Sequence, residues 1–263
     1  MKRIIKRALI ILIVLVLVLS AVYFFWFSYR YTVPILMYHQ FGYKESTLFV
    51  TPENFSRQMD YLKRKGYHVI SLTELVRGIK SNKKIPHNTV VITMDDGYKD
   101  NFTCAYPILK KHDFPATIFI IPGRIEEEKD FMSWQDVKTV LRDKILIGAH
   151  TKNHVFLPSI KEKSVLWDEI KGCKNDIENI TGNRVYHFCY PLGFFNDEVK
   201  RLVEEAGYMS ACSTNRGGYR DNKDVYQLNR VKVTNSDMNR PFSFWAKLSG
   251  YYNLFRSLKT VTE

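Results

Sequence analysis

Two adjacent carboxylates at the end of an apolar run are the first residues in this sequence that could carry out chemistry. Residues 89–94 are mostly apolar and β-branched, which predicts a short buried strand, and Asp95, Asp96 and Gly97 follow directly. Neighbouring side chains on a strand point to opposite sides, so one aspartate could hold a metal while the other accepts a proton from a water beside it. The same residues would also suit an Asp-Gly turn with a helix-capping aspartate. This stretch alone leaves both interpretations open.

Two histidines spaced four residues apart follow a second apolar run. Residues 144–149 predict another strand, and His150 and His154 come directly after it. Neutral imidazole is the commonest biological metal ligand. Together with Asp96, the pair forms a set of two histidines and one carboxylate that leaves positions open for water and substrate. That pattern is typical of a catalytic rather than a structural divalent metal.

Both motifs resemble those of the polysaccharide deacetylases, the NodB-homology family of carbohydrate esterases. Residues 93–97, Thr-Met-Asp-Asp-Gly, are similar to the family's Thr-Phe-Asp-Asp-Gly signature, and residues 150–154 are similar to its His-Ser/Thr-x-x-His metal motif. The order and separation of the motifs also fit. The resemblance extends from about Pro34 to Val233.

The resemblance implies a role for each residue of these motifs. Asp96, His150 and His154 would bind a divalent metal, with Zn²⁺ as the first candidate, and Asp95 would be the catalytic base. Residues 37–39, Met-Tyr-His, resemble a motif near the metal in the branch of the family that acts on poly-N-acetylglucosamine. By that resemblance His39 is a candidate general acid. The alternative is a histidine that only caps the end of a strand.

A third motif departs from the family pattern. Residues 189–193, Cys-Tyr-Pro-Leu-Gly, resemble the family's Arg-x-Pro-Tyr-Gly, but Cys189 stands at the arginine position and Leu192 at the aromatic one. We expect the turn to direct backbone N–H groups at a developing oxyanion, and the alternative is a turn that only ends the strand. Its residues, the candidate substrate and oxyanion contacts, are Tyr190, Pro191, Leu192 and Gly193. In the family that arginine orients the base aspartate. Variants similar to this one, Phe-x-Tyr-Pro-x-Gly, occur in the branch that acts on poly-N-acetylglucosamine, so the replacement indicates a subfamily rather than an inactive protein.

The last predicted strand, residues 227–233, lacks a histidine that the family commonly has. Where the family has Leu-x-Leu-x-His, this chain has Leu-Asn-Arg-Val-Lys at residues 228–232. The catalytic acid would therefore come from elsewhere, which favours His39. Arg230 is expected to help hold the active site in place of the missing arginine.

Predicted strands alternate with predicted helices along most of the chain, which indicates a parallel sheet. The predicted helices include one that opens at Thr51 with Pro52 in its first position, one that starts at Thr73, and three at residues 99–111, about 161–180 and 242–258. The candidate site residues fall at the ends of different strands, as in a β/α barrel. The resemblance likewise implies an α/β fold, a distorted (β/α) barrel of about seven parallel strands, within a catalytic domain at residues 31–263. One N-terminal transmembrane helix is expected to precede it.

Residues 8–27 carry no charge and are dominated by Ile, Leu and Val. About 20 such residues suffice for a helix to cross a bilayer core of roughly 30 Å. Four basic residues precede this run and one follows, which predicts a cytoplasmic tail at residues 1–7 and an extracellular catalytic domain. The alternative is a cleaved signal peptide and a secreted protein, although residues 20–22 match a cleavage site poorly.

The formal net charge is +12, of which +5 comes from the first 30 residues, so residues 31–263 are moderately basic at +7. No nucleic-acid motif accompanies this charge, and no nucleic-acid partner is expected. The expected partners are an N-acetylglucosamine polymer as substrate and the membrane through the N-terminal helix. The four cysteines form no Cys-x-x-Cys pair, and they permit disulfides without requiring them.

Three functions fit these observations. The first is metal-dependent N-deacetylation of an extracellular N-acetylglucosamine polysaccharide, either an exopolysaccharide or peptidoglycan. The second is removal of O-acetyl groups from carbohydrates, because the same site can attack esters. The third is a degenerate barrel that binds glycan without turnover, which the two departures from the family pattern would support.

Overall fold

The N-terminal apolar run forms a long helix, α1 (Lys2–Val22), in a computed structural model that describes residues 2–23, 25, 31–214, 222–240 and 242–252. Residues 3–22 are long and apolar enough to cross a membrane by length and composition. The predicted span continued to residue 27, and residues 24, 26 and 27 lie outside the described part. The chain divides into two units, residues 1–32 and 33–263.

The second unit contains all of the strands in the described residues. These strands are β1 (Ile35–Tyr38), β2 (Gln40–Phe41), β3 (Phe49–Val50), β4 (His68–Val69), β5 (Thr89–Met94), β6 (Ala116–Ile120), β7 (Ile145–Ala149), β8 (His187–Cys189), β9 (Ser210–Cys212) and β10 (Val231–Lys232).

Helices alternate with these strands, as the sequence predicted. They are α2 (Pro52–Arg64), α3 (Leu72–Lys80), α4 (Tyr106–His112), α5 (Trp134–Val140), α6 (Lys163–Trp167), α7 (Cys173–Thr181), α8 (Asp197–Glu205) and α9 (Ser243–Leu248). A π-helical stretch precedes α4 at Asn101–Ala105, and another joins α6 to α7 at Asp168–Gly172.

The main sheet is parallel throughout, with the strand order β10-β1-β5-β6-β7-β8-β9, and β4 pairs with the first residues of β5. Its two edges approach each other through one short segment. Leu228 pairs with Cys212 at the end of β9, and three residues later β10 begins to pair with β1. Seven parallel strands thus form the distorted (β/α) barrel that was expected.

Local sequence explains where several helices begin. Thr51 caps α2 by accepting a hydrogen bond from the Asn54 amide, with Pro52 in the first helical position, as predicted. The next helix was predicted to start at Thr73 but starts at Leu72. The reason is a capping box, in which Ser71 and Glu74 bond each other's backbone amides.

Four predicted elements differ from the structure. The helix predicted at residues 161–180 is interrupted by the second π-helical stretch, and the one predicted at 99–111 begins with the first. The strand predicted at 227–233 shortens to β10, while Gln227 ends the 3₁₀ turn Val225–Gln227 and Leu228 makes only an isolated bridge to Cys212. The helix predicted at 242–258 is α9 in the described residues, and 253–258 lie outside them.

The barrel strands are buried on both faces, as expected for a parallel sheet covered by helices. Every residue of β1, β5 and β6 is buried. Three of the four cysteines are buried as well, and all four are free thiols. The core therefore forms by apolar packing, without the disulfides that the cysteine count permitted.

Candidate active site

The carboxyl ends of neighbouring parallel strands bring the candidate residues together. β1 and β5 pair in register up to Tyr38 and Met94, so the next residues, His39 and Asp95, lie side by side. The Asp95 amide donates to the Tyr38 carbonyl oxygen at 3.0 Å. Sites at this end of the strands are usual in β/α barrels.

Asp96, His150 and His154 converge on one point. The Oδ1 atom of Asp96 lies 3.4 Å from His150 Nε2 and 3.5 Å from His154 Nε2. One ligand atom from each residue falls within 4.8 Å of the other two. The sequence expectation of a two-histidine, one-carboxylate set is thus matched by a cluster of suitable size.

Backbone strain accompanies this convergence. Asp96 has a φ of 73° and His154 a φ of 58°, both in the left-handed region that side chains other than glycine rarely adopt. Thr151, at a φ of 60°, accepts a hydrogen bond from the His154 amide at 2.9 Å and so shapes the turn between the two histidines. Such strain is characteristic of functional sites.

The buried histidine is oriented as a metal ligand would be. His150 Nδ1 lies 2.7 Å from the Cys189 carbonyl oxygen, which can only accept, so Nδ1 carries the proton and Nε2 faces Asp96. Burial alone would raise the pKa of Asp96, but a hydrogen bond from the positively charged form of His150, protonated on Nε2 as well, lowers it, and a cation at the same place would likewise favour the ionised carboxylate. An ionised carboxylate and imidazole nitrogens fit a divalent metal such as Zn²⁺.

Asp95 is paired with a buried arginine from the other edge of the sheet. Arg230 Nη1 donates to Asp95 Oδ1 at 2.6 Å and Arg230 Nη2 to Asp95 Oδ2 at 2.7 Å, a two-point contact. Their side chains are only 1% and 4% exposed. Burial alone would raise the pKa of Asp95, but the charge and hydrogen bonds of Arg230 outweigh it and hold the pKa well below its usual range.

Cys189 contributes the space that this pairing needs. Its Sγ lies 3.1 Å from Arg230 Nη2 and 3.8 Å from Asp95 Oδ1, so it borders the ion pair from β8. The cysteine is smaller than the arginine expected at that position, and the guanidinium enters from beside β10 instead. Arg230 also donates to the Ser213 carbonyl oxygen at 2.9 Å and to Thr93 Oγ1 at 3.2 Å, which fixes its plane.

His39 lies on the other side of Asp95. Its Nε2 is 3.7 Å from Asp95 Oδ2, and its side chain is 19% exposed. Burial lowers the pKa of His39 from its ordinary value, and the charges of Asp95 and Asp96 oppose this only in part. The neutral imidazole is therefore favoured, and a proton placed on it would be given up readily.

The turn after β8 has fewer available N–H groups than the sequence suggested. Pro191 has no N–H, the Tyr190 amide donates to the Cys212 carbonyl oxygen, and the Gly193 amide donates to the Tyr190 carbonyl oxygen at 2.9 Å. The expectation that Gly193 would direct its amide at substrate is therefore wrong. Leu192, at a φ of 57° and with a side chain 59% exposed, retains the remaining amide of this turn.

The Tyr190 side chain supports the wall rather than the site. It is fully buried, stacks on Phe195 with ring centroids 4.6 Å apart, and donates from its hydroxyl to the Tyr226 carbonyl oxygen at 2.9 Å. Another buried residue, Asn101, donates to the His39 carbonyl oxygen at 2.8 Å. Nothing in the sequence pattern singles out Asn101, because a lone asparagine near a helix start is ordinary.

Comparison with known proteins relates both the sequence and the fold to one family. The sequence profile of the polysaccharide deacetylases matches residues 82–211. YxkH of Bacillus subtilis (strain 168), whose name assigns it to the polysaccharide deacetylases, is 32% identical over 202 residues, which cover 77% of this chain and 71% of YxkH. The poly-β-1,6-N-acetyl-D-glucosamine N-deacetylase of Staphylococcus aureus is 26% identical over 209 residues, or 74% of this chain and 71% of that protein.

Two solved structures share the architecture. The Streptococcus pyogenes deacetylase PplD in complex with acetate superposes with a TM-score of 0.75 at 27% identity, over 82% of this chain and 97% of that one. IcaB from Ammonifex degensii superposes with a TM-score of 0.72 at 22% identity, over 85% and 97%, and is similar in fold.

Proposed function

This chain belongs to the polysaccharide deacetylase family, hydrolases of carbon–nitrogen bonds other than peptide bonds, and we propose that it deacetylates an extracellular N-acetylglucosamine polysaccharide in a metal-dependent reaction. The Staphylococcus aureus relative, by its name, acts on poly-β-1,6-N-acetyl-D-glucosamine. That similarity supports an exopolysaccharide of this type as the first candidate substrate and peptidoglycan as the second.

One observation carries the proposal: a buried, ionised Asp95 stands next to the Asp96, His150 and His154 cluster. A protein that only bound glycan would gain nothing from a base held beside a metal site. Burying a carboxylate is costly unless it is paired, and the two-point contact with Arg230 offsets that cost. This arrangement favours an enzyme over the degenerate binding barrel.

A divalent metal, with Zn²⁺ as the first candidate, would be held by Asp96, His150 and His154, where it would polarise the acetamide carbonyl and make a bound water more acidic. Asp95 takes the proton of the attacking water, and its low pKa keeps it ionised and ready across the physiological range. Arg230 keeps both carboxylate oxygens in place during this step. The Leu192 amide is the candidate donor to the developing oxyanion.

His39 is the candidate acid for the leaving amine. Its lowered pKa makes the imidazolium a strong proton donor, and its position 3.7 Å from Asp95 allows it to receive the proton that Asp95 has taken up. Breaking the amide bond then releases acetate and a glucosamine unit with a free amine. Tyr190, Pro191 and Gly193 would act by shaping the wall of the site.

We place the reaction outside the cell. The length and apolar character of α1, with basic residues before it, support a single-pass anchor with a cytoplasmic N-terminus. Protease protection of the two termini in intact cells would test this orientation. Detection of a shortened, freely secreted protein would instead indicate a cleaved signal peptide.

The deciding experiment measures acetate release by the whole chain in detergent. β-1,6-linked N-acetylglucosamine oligomers and peptidoglycan fragments would be offered in parallel, with added zinc and with a chelator. Release from one polymer that the chelator abolishes and that Asp95→Asn eliminates would support the proposal and identify the substrate class. Release from O-acetylated glycans alone would indicate the esterase instead. Glycan binding without any release would indicate the binding barrel.

A further inference from the structure

The backbone that carries His39 is held from the side by residues that follow β5. Asn101 Nδ2 donates to the His39 carbonyl oxygen at 2.8 Å and to Asp100 Oδ1 at 3.0 Å. The His39 carbonyl oxygen can only accept, so the nitrogen rather than the oxygen of the amide must face it. The orientation of Asn101 is thereby determined by its surroundings.

Asp100 holds the Asn101 amide in place, because its Oδ1 accepts from Asn101 Nδ2. Burial raises the pKa of Asp100, and the nearby Phe41 backbone amide acts against that rise. The bond from Asn101 to the His39 carbonyl oxygen fixes that peptide group and so restricts the backbone torsions at His39. The direction of the His39 side chain is restricted with them, because its Cα–Cβ bond leaves the same backbone.

The cost of placing Asn101 here indicates that it does more than fill space. It is fully buried, and its Oδ1 has no hydrogen-bond partner among the described residues. An unsatisfied buried polar atom destabilises the folded state, and an apolar side chain of similar size would avoid that loss of stability. Asn101 also begins the π-helical stretch Asn101–Ala105, and such stretches are frequent at functional sites.

We propose that Asp100 and Asn101 form a clamp that holds the backbone of His39 and thereby positions its imidazole beside Asp95 for proton transfer to the leaving amine. The proposal rests on the deacetylase function proposed above. Both clamp residues act through His39, so they are positioning residues. They control the geometry of the step in which the proton arrives at the amine nitrogen while the carbon–nitrogen bond breaks.

The first test is Asn101→Ala in the whole chain, assayed for acetate release. A misplaced acid affects only the transition state, so kcat and kcat/KM should fall together by about 10- to 100-fold with KM unchanged. Asn88→Ala is the matched control, because Asn88 Nδ2 also donates to a backbone carbonyl, that of Gly66 at 2.7 Å, but lies at the opposite end of β5. Its kcat should stay within about 2-fold of the wild type.

The second test is a double-mutant cycle with His39→Ala. If Asn101 acts through His39, Asn101→Ala should reduce kcat by less than about 2-fold once the imidazole is gone. Two variants of Asp100 test the clamp independently. Asp100→Asn retains an oxygen that can accept from Asn101 and should keep most activity, whereas Asp100→Ala should lose kcat as Asn101→Ala does. This pair also decides the matter if Asn101→Ala does not fold.

A rise in KM at constant kcat, or losses that multiply in the double variant, would overturn the clamp. Failure of the deacetylase function itself would show differently, as a wild type inactive on every N-acetylated glycan. In that case the nuclear magnetic resonance signals of the His39 imidazole still report on the clamp. They should shift in Asn101→Ala and stay unchanged in Asn88→Ala, and unchanged signals in both would refute the proposal.

Discussion

Replacing Arg230 by methionine should destabilise the folded protein strongly, because the change leaves the Asp95 carboxylate buried without a partner. The two side chains are almost wholly buried and joined by two hydrogen bonds of 2.6 and 2.7 Å. Removing one partner of a buried ion pair costs about 3–5 kcal/mol. For a domain of this size, 1 kcal/mol shifts the melting temperature by about 2–4 °C, so a fall of roughly 6–20 °C is expected.

A double-mutant cycle with Asp95→Asn tests whether the unpaired carboxylate causes this loss of stability. Asp95→Asn removes the charge that Arg230→Met leaves unpaired. The double variant should therefore melt at a higher temperature than Arg230→Met alone, with a coupling of at least about 2 kcal/mol between the two sites. Thermal unfolding followed by near-ultraviolet circular dichroism, with chelator in every sample, provides the measurement.

The contribution of the Arg230–Asp95 pair to stability should also depend on pH. The pKa of Asp95 is depressed in the folded wild type, so the pair's stabilisation is present above the unfolded pKa of about 3.9 and is lost as the pH falls below it. In Arg230→Met, burial without the arginine raises the pKa of Asp95. Protonation of this carboxylate as the pH falls then removes the unpaired buried charge and makes the variant less unstable. The difference in melting temperature between the wild type and Arg230→Met should be largest near pH 8 and should decrease towards pH 4.

The matched control is the buried pair of Lys247 and Asp237, 2.6 Å apart with side chains 7% and 3% exposed. Lys247→Met should lower the melting temperature by a similar amount and retain acetate release per folded molecule, while Arg230→Met should lose it. A melting temperature for Arg230→Met within 2 °C of the wild type, or no recovery in the double variant, would refute the reasoning.

Three further changes should have distinct effects. His154→Ala should lose most bound metal and most acetate release while remaining folded, since the imidazole is one of the three proposed ligands and its side chain is partly exposed; metal analysis after dialysis measures this. Gly193→Ala should unfold at a lower temperature, because Gly193 has a φ of 79° and a Cβ there would lie 2.3 Å from Thr214 Oγ1; an unchanged melting temperature would contradict it. Burial raises the pKa of Asp100 to about 6, so the wild type loses stability relative to Asp100→Asn as the pH rises from about 4 through 6. The difference in melting temperature between the two proteins should therefore change between pH 4 and pH 7, and an equal difference at both values would contradict the raised pKa.

Much of the candidate site could be predicted because its residues lie close together in short stretches of the sequence. Asp95 and Asp96 are neighbours, and His150 and His154 are four residues apart, so local spacing after a strand suffices to suggest a shared metal. The alternation of strands and helices similarly indicated the barrel. The cap at Thr51 is also a local signal, because one side chain satisfies an amide three residues away.

Other features depended on the tertiary structure, because they join distant residues or balance competing local preferences. Arg230 reaches Asp95 across 135 positions, and only the approach of the two sheet edges brings them together. The helices predicted at residues 99–111 and 161–180 contain π-helical stretches, which the period of the sequence did not indicate. The Gly193 amide donates to the Tyr190 carbonyl oxygen within its own turn. This bond depends on the backbone torsions of the turn, which the residue types alone do not determine. The types and spacing of the candidate ligands could thus be predicted from the sequence itself, whereas the pairing of Arg230 with Asp95 and the contact of Asn101 with the His39 backbone were decided by long-range packing.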